Sequence, residues 1–61
     1  MANRDIRLYM RGRGVTFWRL ADELGIHENT LYYRLRHELP EIEKGRLRAL
    51  VDGIAAEEAE A

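Results

Sequence analysis

The sequence predicts an all-α fold, a compact bundle of about four short helices, and three observations carry that expectation. Apolar residues recur at i, i+3, i+4 and i+7 in Phe17, Leu20, Ala21 and Leu24, and again in Leu47, Leu50, Val51 and Ile54, each set forming one stripe on a 3.6-residue helix. Glycine and proline punctuate the chain at Gly12-Arg13-Gly14, at Gly25 and at Pro40, dividing its 61 residues into four stretches of helical length. The stretches on either side of Gly25 lie only a few residues apart, so they must turn sharply onto one another.

The first helix is expected over residues 3 to 11. Asn3 is a good N-cap, Asp5 puts a carboxylate at the positive end of the helix dipole, and Ile6, Tyr9 and Met10 form an apolar face. Gly12 and Gly14 are expected to break it, leaving Arg13 on a loop. Thr16 is the expected N-cap of a second helix, 16 to 24. Trp18 falls off the inward stripe of that helix, either packed sideways against the first or last helix or exposed at a partner surface. Gly25 accepts the left-handed conformation a sharp turn needs, and Ile26 plugs the turn.

A third helix is expected over 28 to 37, with Leu31 and Leu35 facing inward and His27 as a weak N-cap. Glu38-Leu39-Pro40 interrupts it, since proline disfavours helix in the residue before it and fits the first turn of a new one. The fourth helix is expected over 40 to 56, with Ile42 one turn ahead of its stripe. A small wing is the alternative for 41 to 48, a hairpin turning at Lys44-Gly45. The expected core is Ile6, Met10, Phe17, Leu20, Leu24, Ile26, Leu31, Leu35, Leu47, Leu50, Val51 and Ile54. Residues 1 to 56 read as a single domain and 57 to 61 as an acidic, frayed tail.

Composition narrows the class. There is no cysteine, no apolar run near the ~18 residues of a membrane span, and no signal-peptide layout at the first residues, so a soluble cytoplasmic protein is expected. A core this small gives marginal stability, which favours a homodimer, with the stripe of the last helix as its expected interface. The net charge is only −1, but it is unevenly spread. Residues 1 to 37 carry seven arginines against four carboxylates, a net +3, while residues 38 to 61 carry three cations against seven carboxylates, a net −4. Arginine is the cation whose planar fork suits phosphate and guanine.

The third helix leaves Glu28, Asn29, Tyr32, Tyr33 and Arg36 facing outward, groups suited to base edges and phosphates. Leu20-Ala21-x-x-Leu24-Gly25-Ile26 followed by Thr30-Leu31 resembles the helix-turn-helix of phage Cro and repressor-type regulators. Thr30-Leu31-Tyr32-Tyr33-Arg34-Leu35 also resembles the recognition helix of Fis-type factors. The likeness covers about a third of the chain; His27 stands where such motifs usually open with Ser or Thr, and Arg34 where the Cro-type pattern is apolar. It implies a sequence-specific, double-stranded DNA-binding protein, a small transcriptional regulator or an accessory factor of a phage or mobile element. His27, Glu28, Asn29, Tyr32, Tyr33 and Arg36 then match the base-reading positions, and Arg13, Thr16, Arg19 and Arg34 form the phosphate set.

Catalysis is not expected. The chain has no serine or cysteine nucleophile, and Thr16 and Thr30 read as helix-start residues. His27 and His37 have no third ligand in register, so neither a metal nor another cofactor is implied, and a domain this small can hardly enclose a small-molecule substrate. Two further readings stay open: a winged, excisionase-like DNA binder, and a protein-interaction module using Trp18, Tyr32 and Tyr33.

Overall fold

The computed structural model describes residues 1–60. Four helices follow one another: α1 (Arg4–Arg13), α2 (Phe17–Leu24), α3 (Glu28–Arg34) and α4 (Glu41–Glu60). The twenty residues of α4 span about 30 Å at the α-helical rise and set the 33 Å long axis. Helices α1 and α2 both pack on α4, whereas α3 packs on α2. Residues 41–48 are helical, so the wing is not formed. No helix among the described residues is long and apolar enough to cross a membrane.

Helices α1 and α2 end in the same device. Gly14 at φ 71° donates its N–H to the Arg11 carbonyl while Val15 N–H reaches back to Met10; Gly25, also at φ 71°, donates to Asp22 while Ile26 reaches Ala21. This is the Schellman arrangement, which closes the open carbonyls of a last turn and brings the residue after the glycine onto the helix it ends. It accounts for Val15, buried in the core although outside the expected set, and for Ile26, only half-buried. It also corrects the first boundary, since α1 continues through Gly12 and Arg13 and only Gly14 leaves the helical region.

The core consists of Ile6, Met10, Val15, Leu20, Ala21, Leu31, Leu35, Val51 and Ile54, with Phe17, Leu24, Ile26, Leu39, Leu47 and Leu50 partly buried around it. Val51 and Ile54 are thus covered within the chain, and only Leu47 and Leu50 of the last stripe keep some exposure. Ile42 leaves the stripe altogether and is 72% exposed. Trp18 is 59% exposed and lines a groove beside α1. The acidic tail continues α4 through Glu60, with Glu57 held by Arg19, and Ala61 lies outside the described residues.

Asn3 is not the cap it was expected to be. It adopts the left-handed conformation at φ 57°, is fully buried, and makes no capping bond to α1. Its carboxamide donates to the carbonyls of Leu35 (3.0 Å) and His37 (2.8 Å) and accepts from Leu39 N–H (2.9 Å), while its own N–H donates to Glu38 Oε1 (2.9 Å). These bonds draw the chain after α3 away from helical geometry. They explain why α3 stops at Arg34 instead of residue 37.

Candidate nucleic-acid interface

The third helix presents three faces. Leu31 and Leu35 point into the core, and Arg34 points to the side where Leu24, Leu39, Leu47 and Leu50 line a cleft with Glu43 and Arg46. Asn29, Tyr33 and Arg36 share a shallow groove with Tyr32 and with Arg7 from α1. Arg36 lies just past the end of α3, in the turn where its N–H bonds the Tyr33 carbonyl at 3.2 Å, and its guanidinium stands 5.9 Å from the Tyr33 ring centre. The reading set therefore separates. Asn29, Tyr32, Tyr33 and Arg36 come together, whereas His27 and Glu28 do not line that groove, and Arg34 of the phosphate set faces the other cleft.

His27 works as a cap after all, its imidazole Nδ1 accepting from Asn29 N–H at 3.2 Å. That bond positions the first turn of α3 and leaves the ring exposed. Glu28 is half-buried beside Tyr32, whose phenol is pushed up from its ordinary pKa, first by burial and then by the Glu28 carboxylate. The Tyr32 ring meets Phe17 edge-on, centroids 4.8 Å apart, and Arg7 covers Phe17 at 5.4 Å. This stack of Arg7, Phe17 and Tyr32 ties α1, α2 and α3 together under the groove.

The expected phosphate set is largely used elsewhere. Arg13 is paired with Asp52 of α4 at 3.3 Å, donates to the Tyr9 hydroxyl at 3.1 Å and covers the Tyr9 ring. Arg19 meets Glu23 and Glu57 at 3.0 Å each and Asp22 at 3.9 Å, and its pKa is raised first by Glu23. Both guanidiniums already face carboxylates, so neither offers a net positive charge to a phosphate. Thr16 Oγ1 caps α2 by accepting from Arg19 N–H at 3.3 Å.

Sequence reasoning missed Arg7. It is half-buried, its guanidinium bonded to the carbonyls of Ala2 (3.2 Å) and Leu35 (3.5 Å), and it faces the groove with no carboxylate paired to it among the described residues. Arg4, Arg11 and Arg36 are likewise free of carboxylate partners among the described residues. The i, i+3, i+7 spacing of Arg4, Arg7 and Arg11 was the available signal, since it puts all three on one face of α1.

Comparison with protein families, with curated proteins and with solved structures returns no match for this chain.

Proposed function

We propose that the chain is a sequence-specific, double-stranded DNA-binding protein of the helix-turn-helix kind, acting in the cytoplasm as a small regulator or an accessory factor of a phage or mobile element. One observation carries the reading: Asn29, Tyr33 and Arg36 share an exposed groove with Arg7, and no carboxylate lines that groove among the described residues. A carboxamide and a guanidinium on one short helix and its following turn have the donor and acceptor pattern that reads adenine and guanine in the major groove. α3 would enter the groove with Asn29 at its leading turn. Tyr33 and Tyr32 contact thymine methyls or phosphates, and Arg7 neutralises the backbone beside them.

The test is selection from a random duplex library with the full chain, followed by titration of the enriched site at several salt concentrations. An enriched site whose affinity falls steeply with salt, as counterion release requires, supports the reading. A chain that enriches no sequence and retains no duplex at low salt overturns it.

A further inference from the structure

Four of the six large apolar side chains left exposed among the described residues gather in one place. Met1, Leu8, Trp18 and Tyr32 all line one groove between α1, the start of α2 and α3. Arg4, Arg7 and Arg11 form its α1 wall, and Glu28 is its one carboxylate among the described residues. An apolar floor edged by arginine and anchored by an exposed tryptophan has the composition of a protein interface. A phosphate strand would gain nothing from Leu8 and Met1.

The complement of this groove lies on the same chain. Ile42, in the first turn of α4, is 72% exposed and stands between Glu41 and Glu43. Residues one position before and after it leave the helix on opposite flanks, so the carboxylates bracket the isoleucine. Glu43 has no cation partner among the described residues, while Glu41 meets Arg48 of its own helix at 3.2 Å.

We infer that the chain associates with a second copy of itself, Ile42 of one copy seated against Leu8 and Trp18 of the other, with Glu41 and Glu43 facing Arg4 and Arg11. Each copy carries both a knob and a groove, so a two-fold arrangement makes the contact twice and closes a dimer. Asn29, Tyr33 and Arg36 remain outside it. The inference does not rest on DNA binding, and it is tested without DNA.

Sedimentation velocity of the full chain from micromolar to millimolar concentration should show the mass rising to that of a dimer. Ile42→Asp and, separately, the double variant Arg4→Glu/Arg11→Glu should each weaken association by about tenfold or more, the effect expected of hot-spot positions. All three positions are exposed, and circular dichroism should show the parent's helix content in both proteins. A parent that stays monomeric throughout overturns the inference. So does a dimer that survives either variant. A monomeric parent whose groove variant loses duplex affinity or capture of an acidic, amphipathic peptide would assign the groove to that ligand instead.

Discussion

The Lys44 ammonium lies 3.0 Å from Asp5 Oδ2, joining the first turn of α1 to the first turn of α4, although only 7% of the lysine is exposed. Glu38, in the loop between α3 and α4, completes the pair as a triad: one carboxylate oxygen faces Lys44 and the other accepts from Asn3 N–H. A buried cation is tolerable here because both of its partners reach it from the surface, where their remaining lone pairs stay hydrated.

The triad predicts how stability depends on pH. Asp5 is held below its ordinary pKa, first by Lys44, and Glu38 is held below its own, first by the Asn3 N–H and then by Lys44. Depressed carboxylates stabilise the fold above their unfolded-state pKa, about 4, and that contribution is lost as pH falls through the native values. Lys44 is raised, first by Glu38, so its contribution is complete below about 10 and lost as pH climbs through the native value. In Lys44→Met the Asp5 carboxyl should return to its ordinary range while Glu38 stays lowered. Side-chain carboxyl NMR titration separates the two, and equal recovery at both sites would mean that the Asn3 bond does not hold Glu38.

Asn3 should be the most sensitive polar position. Asn3→Ala removes the partners of two carbonyls and one N–H and leaves alanine in a left-handed conformation, so a loss of roughly 2 to 4 kcal/mol is expected. Asn3→Gly loses the same bonds but not the backbone fit, and should be about 1 kcal/mol less damaging. Thermal or urea melts that rank the two variants equally would remove the backbone from the explanation.

The glycines near the turns should respond in opposite directions. Gly12 is helical and a methyl group there meets open space, so Gly12→Ala should stabilise by about 0.5 to 1 kcal/mol. Gly25→Ala places a side chain at φ 71° and should destabilise by about 1 kcal/mol. Urea midpoints of the two variants on opposite sides of the parent's are the expected result.

Among the arginines, the ion pairs predict which variants change DNA binding. Asn29→Ala and Arg36→Ala should each cost about 1 to 3 kcal/mol on a selected site and little on scrambled duplex. Arg7→Ala should weaken both duplexes and lower the salt slope by about one unit. Arg13→Ala and Arg19→Ala should leave the slope unchanged, since each removes a cation already faced by carboxylates. A slope that falls equally for Arg13 and Arg7 would return Arg13 to the phosphate set.

The helices and most of the core were legible because they follow from local rules. Apolar spacing placed Leu20, Leu31, Val51 and Ile54 inside, and Gly25 and Thr16 mark the two ends of α2. What was not legible is what depends on residues far apart in the chain. Asn3 reads locally as an N-cap, and its partners are some 35 positions away. Lys44 reads only as a possible hairpin turn until Asp5 and Glu38 are brought to it. Arg13 looks available until α4 supplies Asp52; for Arg19 the i+4 partner Glu23 is local, and only Glu57 comes from α4. The outward placing of Asn29, Tyr32 and Tyr33 was legible because exposure on one helix is a local property, whereas the pairing of Arg13 depends on how α4 packs.

The placement of α3 carries a kinetic consequence. Its seven residues form the shortest helix among the described residues, too short to persist alone, and of the helices there it packs only on α2. Cooperative opening of such a segment costs less than global unfolding, so its amides should exchange with solvent through a smaller free-energy gap than those of α4. The bonds from Asn3 to the strand of chain after α3 then act as a latch, and the measurable sign is that Asn3→Ala speeds hydrogen exchange at Leu31 and Tyr32 more than at Val51 and Ile54. The segment proposed to meet DNA would thus be the part of the molecule most readily detached and re-laid, its resting order set by a side chain 32 positions away.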